Sequence, residues 1–335
     1  MKQKTVLTGI STTGTPHLGN YAGAIRPAIE LSKTHDSAYF FLADLHSLIK
    51  CQDPELVNQS RLEIAATWMA LGLDTDKAIF YRQSDIEEIP QITWLLNCVT
   101  AKGTMNRAHA YKAAVDDNIA QENDPDRGVT MGLFSYPVLM AADILTFNAD
   151  LVPVGSDQRQ HVEIAREIAQ RFNHIYQSEF FVMPQEVIDD ETAILPGLDG
   201  RKMSKSYNNT IPLFLPEKKL QKSINRIVTN SLEPGEPKDP DSAHLYDIYK
   251  AFGSTEETAA FRAALIDGMG WGDAKKALFN LINDQIKEAR ERYYELMANP
   301  RIIEETLQKG AEKARIPARE MLLKLKDAVG LRNFI

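Results

Sequence analysis

SAYFFLADLHSL (37–48) opens with a continuous apolar run, KAIFYRQ (77–83) reads as another buried strand, and TVLTGI (5–10), which alternates weakly, as a short one. Strands buried on both faces read this way, because neither side of the pleat can be polar. Two segments of helical period separate the runs. LGNYAGAIRPAIELSKT (18–34) has helical spacing through Leu18, Tyr21, Ala22, Ile25, Ala28, Ile29 and Leu31, and residues 54–72 are amphipathic up to Gly72. Parallel neighbours are reached only through a crossover, and this order supplies one between each pair of strands. The chain is therefore expected to form an α/β fold around a doubly wound parallel (Rossmann-like) sheet with right-handed crossovers.

Beyond these elements, residues 90–130 read as helices with polar interruptions, and NDPDRGV (123–129) reads as a loop. LFSYPVLMAADIL (133–145) has helical spacing, a strand is expected at 151–154, and a helix from about Gln158. ILPGLDGRKMSKSYNNTIPL (194–213) has no period, and nearly everything after Pro216 is helical. EPGEPKDPDS (233–242) reads as a linker. A chain of 335 residues suits one large domain and a smaller one. The expected boundary lies near residue 206, giving a Rossmann-like domain over 1–206 and an all-helical domain over 207–335.

Net charge is −8, which argues against a surface that is wholly a nucleic-acid footprint. The distribution is uneven. From Arg201 to Arg226 seven bases stand against the single acid Glu217, and the segment from Arg301 onward is also rich in Lys and Arg. Cys51 and Cys98 form no C-x-x-C pair, so neither a zinc site nor a disulfide framework is expected. The opening MKQKTVLTGI leads into no signal-peptide core, and no apolar stretch is long enough to span a bilayer. The expectation is a soluble cytoplasmic protein without membrane contact.

TGTPHLGNY (13–21) follows the first strand and opens a helix, a position where backbone N–H groups can face an anion. It has no G-x-G-x-x-G spacing. Gly14 and Gly19 have the P-loop spacing, yet Asn20 stands where that loop needs lysine. His17 and Asn20 can each donate to phosphate oxygens, and a plain helix cap fits the stretch equally well. RKMSKS (201–206) holds two lysines three apart, able to neutralise charge on a triphosphate as it is split. A basic surface loop is the ordinary alternative for that stretch on its own.

Taken together, Pro16-His17-Leu18-Gly19-Asn20 resembles the HIGH signature of the class I aminoacyl-tRNA synthetases, and Lys202-Met203-Ser204-Lys205-Ser206 matches their KMSKS signature letter for letter. TGI with GNYAGAIR, YPVLMAADIL and LVPVGSDQRQH are similar to the tryptophanyl branch of that family, over essentially the whole chain. The resemblance implies an ATP-dependent ligase that makes tryptophanyl-adenylate and pyrophosphate, then loads tRNA(Trp). It implies a homodimer, a tRNA-binding role for the helical carboxyl-terminal domain, and Mg2+ carried by ATP with no dedicated protein metal site.

The resemblance also implies residue roles. His17, Asn20, Lys202 and Lys205 would be catalytic. Ser11, Thr12, Thr13, Gly19, Asn20 and the 202–206 run (Lys202, Met203, Ser204, Lys205, Ser206) would bind ATP. The ribose would meet Gly155, Ser156 and Asp157, and adenine would abut Ile194. Asp143 would accept from the indole N–H, since that group only donates. Met140, Ile144, Val152, Val154 and Leu7 would line the ring, and His46 would flank it. Tyr136 and Gln158 would hold the ammonium and carboxylate of the amino acid. The chain departs from the family pattern at Leu7, Ser11 and Ser156. Three other readings remain at this stage. They are a tyrosyl enzyme, a nucleotidyltransferase acting on a small metabolite, and a non-catalytic paralogue that senses tryptophan or binds RNA. Asp143 in MAADIL weighs against the first, the complete KMSKS against the second, and the retained lysines against the third.

Overall fold

A computed structural model describes residues 4–12, 14–35, 37–155, 158–188, 195–332 and 334. Five strands, β1 (Thr5–Ser11), β2 (Ser37–Ala43), β3 (Ile79–Arg82), β4 (Leu151–Pro153) and β5 (Gln185–Val187), form one sheet in the order β3-β2-β1-β4-β5. All neighbours are parallel, with β1 and β2 in register from Thr5 opposite Ser37 to Ser11 opposite Ala43. The doubly wound parallel expectation holds. The strand order reverses at β1 and β4, and in such sheets ligands bind beyond the carboxyl ends of the strands at that point.

The helices of the first half are α1 (Leu18–Asn20), α2 (Arg26–Lys33), α3 (Asp44–Ser47), α4 (Pro54–Ala70), α5 (Glu88–Asn97), α6 (Lys102–Asn106), α7 (His109–Ala120) and α8 (Met131–Thr146). They are followed by α9 (Arg159–Ile175), α10 (Glu217–Asn225), α11 (His244–Phe252), α12 (Thr255–Ile266), α13 (Trp271–Ala298) and α14 (Pro300–Ala328).

Adjacent residues on the central strands enter opposite cores. Phe40 and Phe80 join Ile10 in one, with side chains of α2, α4 and α13. Phe41 and Tyr81 join Leu7 in the other, with side chains of α5, α8, α9 and α14. This two-sided burial is why the strands are apolar without alternation. The helices after residue 206 help to build both cores. Ile282 and Ile286 of α13 serve the first, and Ala311, Ala314 and Ala318 of α14 the second.

The structure refines three expectations. Residues 18–34 are not one regular helix: a π-helical turn at Tyr21–Ile25 separates α1 from α2. Pro27 in the first turn of α2 has no N–H and crowds the carbonyl four residues back, which favours the wider turn there. β5 is three residues long and has too little pattern to read in sequence. The 233–242 stretch is a built turn as well as a connection. The buried Lys238 Nζ donates to the carbonyls of Glu233 (3.0 Å) and Glu236 (2.9 Å), and Gly235 N–H donates to Gly268 O at 2.8 Å.

Helix α14 seats on β3 through Gly310, where a Cβ would lie 1.7 Å from the Phe80 carbonyl oxygen. Only hydrogen fits there. Gly310→Ala forces the helix off the strand and is expected to destabilise the protein by about 1–3 kcal/mol, the range of an overpacked core. Urea unfolding checks this, and an unchanged midpoint would contradict the packing described.

Candidate active site

The carboxyl end of β1 leads into a corner that the basic loop closes from the other side. Gly14, at φ +71, donates its N–H to Ser60 Oγ (3.0 Å), and Thr15 Oγ1 donates to Glu63 Oε2 (2.7 Å). Helix α4 therefore backs this turn. A Cβ on Gly14 would lie 3.2 Å from Lys205 Nζ. One on Gly19 would lie 3.1 Å from His17 Nδ1 and 3.6 Å from Met203 Cβ. Glycine at these two positions lets the two signatures meet.

His17 is buried and caps α1. Its N–H donates to Asn20 Oδ1 (3.1 Å), and Asn20 N–H donates to His17 Nδ1 (3.3 Å). Because Nδ1 accepts, the neutral ring carries its proton on Nε2. Burial, and secondarily the Lys205 ammonium, holds the His17 pKa down to about 4. The ring is thus neutral near pH 7, with a single donor, and is no proton reservoir. Capping and phosphate donation use different atoms of His17 and Asn20, so both readings of the stretch fit.

The loop that carries the lysines is braced by Asn209. Ser204 N–H donates to its Oδ1 (2.8 Å), while its Nδ2 donates to Asp199 Oδ1 (2.7 Å) and the Lys202 carbonyl (3.1 Å). Met203 is buried, and its N–H donates to Leu195 O at 2.8 Å. The following segment returns to the corner: Leu18 N–H donates to Ile211 O (2.9 Å) and Leu213 N–H to Pro16 O (3.0 Å). This bridge fixes one side of the loop against His17. Lys202, Lys205 and Ser206 stay exposed. Partial burial lowers the Lys205 pKa from the ordinary lysine value, with the Glu63 carboxylate acting the other way.

A second centre lies beyond the ends of β2 and β3. Asp143 of α8 has no solvent exposure. Gln83 Nε2 donates to both its oxygens at 2.9 Å, and His46 Nε2 lies 3.0 Å from Oδ2. Gln83 Oε1 accepts from Leu45 N–H (3.1 Å), beside His46. Burial raises the Asp143 pKa, while the His46 and Gln83 hydrogen bonds act to lower it. A carboxylate has about four acceptor positions, so three contacts leave one for a further donor. Leu7, Ile144 and Val152 are buried nearby in the same core, and Met140 and Val154 pack against it. Tyr136 sits edge-on to His46 (6.2 Å between ring centroids), and its hydroxyl lies 2.6 Å from His161 Nε2. Phosphate donors in one place and a buried acceptor with apolar walls in the other suit a nucleotide and an N–H-bearing aromatic.

The family model for tRNA synthetases class I (W and Y) matches residues 1–287. The chain belongs to that family. A tryptophan–tRNA ligase of Pseudomonas aeruginosa is 62% identical over 331 residues, covering 98% of this chain and 74% of that one. One from Neisseria meningitidis is 59% identical over 334 residues and covers 99% of each. Among solved structures, tryptophanyl-tRNA synthetase of Campylobacter jejuni, complexed with ADP and tryptophan, superposes with a TM-score of 0.87 at 41% identity, covering 97% of this chain and 99% of that one. Tyrosyl-tRNA synthetase of Archaeoglobus fulgidus, at 20% identity and a TM-score of 0.65 over 88% of this chain and 91% of that one, shares the fold.

Within this class I fold the expected residues gather in two groups. His17, Gly19, Asn20, Met203 and Lys205 meet at the corner, while His46 bonds the Asp143 carboxylate, Tyr136 sits against His46, and Leu7, Ile144 and Val152 belong to the core on the same face of the sheet. Ser11 is exposed at the end of β1, and Thr12 is buried beside it. Gly155 O accepts from Gln158 N–H (2.9 Å), which caps α9. Thr13, Ser156, Asp157 and Ile194 lie outside the described residues. Sequence reasoning passed over Gln83 and Asn209. Gln83 had a signal, since it closes a buried parallel strand at its carboxyl end. Asn209 had none.

His17 should also register in the stability of the fold. Its folded pKa near 4 lies below the ordinary 6.5, so the unfolded chain binds the proton more tightly. This contribution to stability is complete above about pH 6.5 and is lost as pH falls through 4, to a total on the order of 3 kcal/mol. Urea unfolding from pH 7 to 4 should show a shallower loss for His17→Asn than for the wild type. Identical pH slopes would show that the ring is not held neutral.

Proposed function

We infer that this chain activates L-tryptophan with ATP and then joins it to tRNA(Trp). The observation that carries the reading is the fully buried Asp143, gripped by Gln83 and His46 with one acceptor position open. An indole N–H satisfies it, and an analogue lacking that donor leaves a buried acceptor unpaired, which sites of this kind reject strongly. In the first step the tryptophan carboxylate attacks the α-phosphorus of ATP and pyrophosphate leaves. In the second a terminal ribose hydroxyl of the tRNA attacks the adenylate carbonyl and AMP leaves.

The residues act by positioning and charge. His17 Nε2–H and the Asn20 amide donate to phosphate oxygens, and Gly19 admits the nucleotide close to the backbone. Lys202 and Lys205 offset charge as pyrophosphate departs, while Mg2+ travels with ATP. Among the described residues no cluster of three or more His, Cys, Asp or Glu is placed to hold a metal. Tyr136 and Gln158 take the amino and carboxylate groups of tryptophan. Gly155, Ser156 and Asp157 serve the ribose and Ile194 the adenine. Residues 1–206 form the catalytic domain and 207–335 the tRNA-binding part, which remains packed on the sheet through α13 and α14. The proposed enzyme is cytoplasmic; among the described residues no helix is long and apolar enough to cross a membrane.

Purified protein should exchange pyrophosphate into ATP with tryptophan and not with tyrosine. Asp143→Ala should raise the tryptophan KM roughly 100-fold with little change for ATP, the effect expected from losing a buried hydrogen-bond partner. Lys205→Ala should lower the exchange rate by roughly 100-fold or more, as for other donors to developing charge. Tyrosine-dependent exchange would overturn the specificity, and an unimpaired Lys205→Ala would remove that lysine from the mechanism.

We further propose a homodimer. A groove lined by Leu48, Trp94, Tyr136 and Leu139 leaves Trp94 69% and Leu48 51% exposed, an apolar surface that a second copy would cover. Trp94→Glu should halve the mass seen by analytical ultracentrifugation. A wild-type chain that sediments as a monomer would refute the proposal.

A further inference from the structure

Gln83 does not hold Asp143 unaided, because the turn that carries it is tied on both sides. Arg82 closes β3, and Gln83–Asp85 form a single 3-10 turn. Ser84 donates its N–H to Asp44 Oδ1 (2.9 Å) and its hydroxyl to Asp44 Oδ2 (2.6 Å). Arg82 Nε donates to Asp85 Oδ2 (2.7 Å). The remaining ties come from α14, more than 200 residues further along the chain. Arg82 donates both terminal nitrogens to Glu304, at 2.7 and 2.8 Å, and Arg315 Nε donates to the Asp85 carbonyl at 2.8 Å. The Arg82 side chain is mostly buried, so this bidentate pair is less screened than an ordinary surface ion pair. The Arg82 hydrogen bond holds the Glu304 carboxyl below its usual range. Gly310 seats the same helix against Phe80, two residues before Arg82.

We propose that α14 sets the selectivity of the tryptophan pocket, with Glu304 as a positioning residue that acts through Arg82 on Gln83 and so on Asp143. The proposal rests on Asp143 being the indole acceptor. Releasing one end of the turn lets the Gln83 amide drift, and the open acceptor position on Asp143 then loses its fixed direction. The His17 corner is braced by Ser60 and Glu63 of α4, by Asn209 and by the 211–213 segment, while the clamp meets α4 at a different residue, Arg61, which pairs with Asp44 at 3.1 Å.

Pyrophosphate exchange by the full-length enzyme separates the two substrates. Glu304→Gln, nearly the same shape without the charge, should raise the tryptophan KM roughly fivefold, within the range of coupling through a packed network. The ATP KM should stay within about twofold of wild type, since the nucleotide corner is braced separately. Glu304→Asp, which keeps the charge, should fall between the two. Glu305→Gln, whose partner is Arg301, should behave as wild type. If Glu304→Gln fails to fold, Arg315→Met removes the other tie and should shift the tryptophan KM in the same direction. An unchanged tryptophan KM, or an equal rise in both KM values, would overturn the proposal. A wild-type chain without tryptophan-dependent exchange would instead overturn the functional reading, and this proposal with it.

Discussion

A parallel sheet leaves neither face to water, and most of this architecture follows from that constraint. Phe40 and Phe41, one residue apart, need separate cores. Helices from the first half supply much of the cover, but the face built from Leu7, Phe41 and Tyr81 also requires α14 from the far end of the chain. Once both faces are closed, polar groups of the central strands have one outlet, the loops at the strand ends. The site therefore gathers where β1, β2, β3 and β4 stop. The long carboxyl-terminal helices complete the sheet before they do anything else.

Asp143 shows how the same constraint is used. A carboxylate without solvent is unfavourable unless hydrogen bonds replace the lost water. Gln83 and His46 replace most of it and leave one position unfilled. An acceptor held this way accommodates a further donor and leaves no room for a second acceptor. At the corner around His17 charge is treated differently. His17 is kept neutral, and Lys202 and Lys205 stay in contact with solvent.

The legible parts of the chain were those where one residue type answers to one local rule. The sheet was readable because burial on both faces needs unbroken apolar runs, and Phe40-Phe41 and Phe80-Tyr81 supply them. RKMSKS was readable as a lysine pair with a resemblance behind it. Gln83 was not singled out, because a glutamine ending YRQ looks like any polar residue entering a turn. Its role depends on Asp143, 60 residues away. Asn209 was equally hidden, since its contacts with Ser204, Asp199 and Lys202 exist only in the folded loop. For His17 the sequence left two readings open, a cap or a phosphate donor. The geometry shows the cap in Nδ1 and leaves Nε2 for the other.

The two halves of the site share a support that no local pattern announces. Arg290 of α13 donates to the Leu215 carbonyl (3.0 Å), and Tyr294 of the same helix donates to Phe214 O (2.7 Å). Those residues continue the segment that pairs with Pro16 and Leu18 beside His17. Helix α14 grips the turn that presents Gln83 to Asp143. Successive helices, joined at Asn299, thus brace the surroundings of His17 and of Asp143 separately.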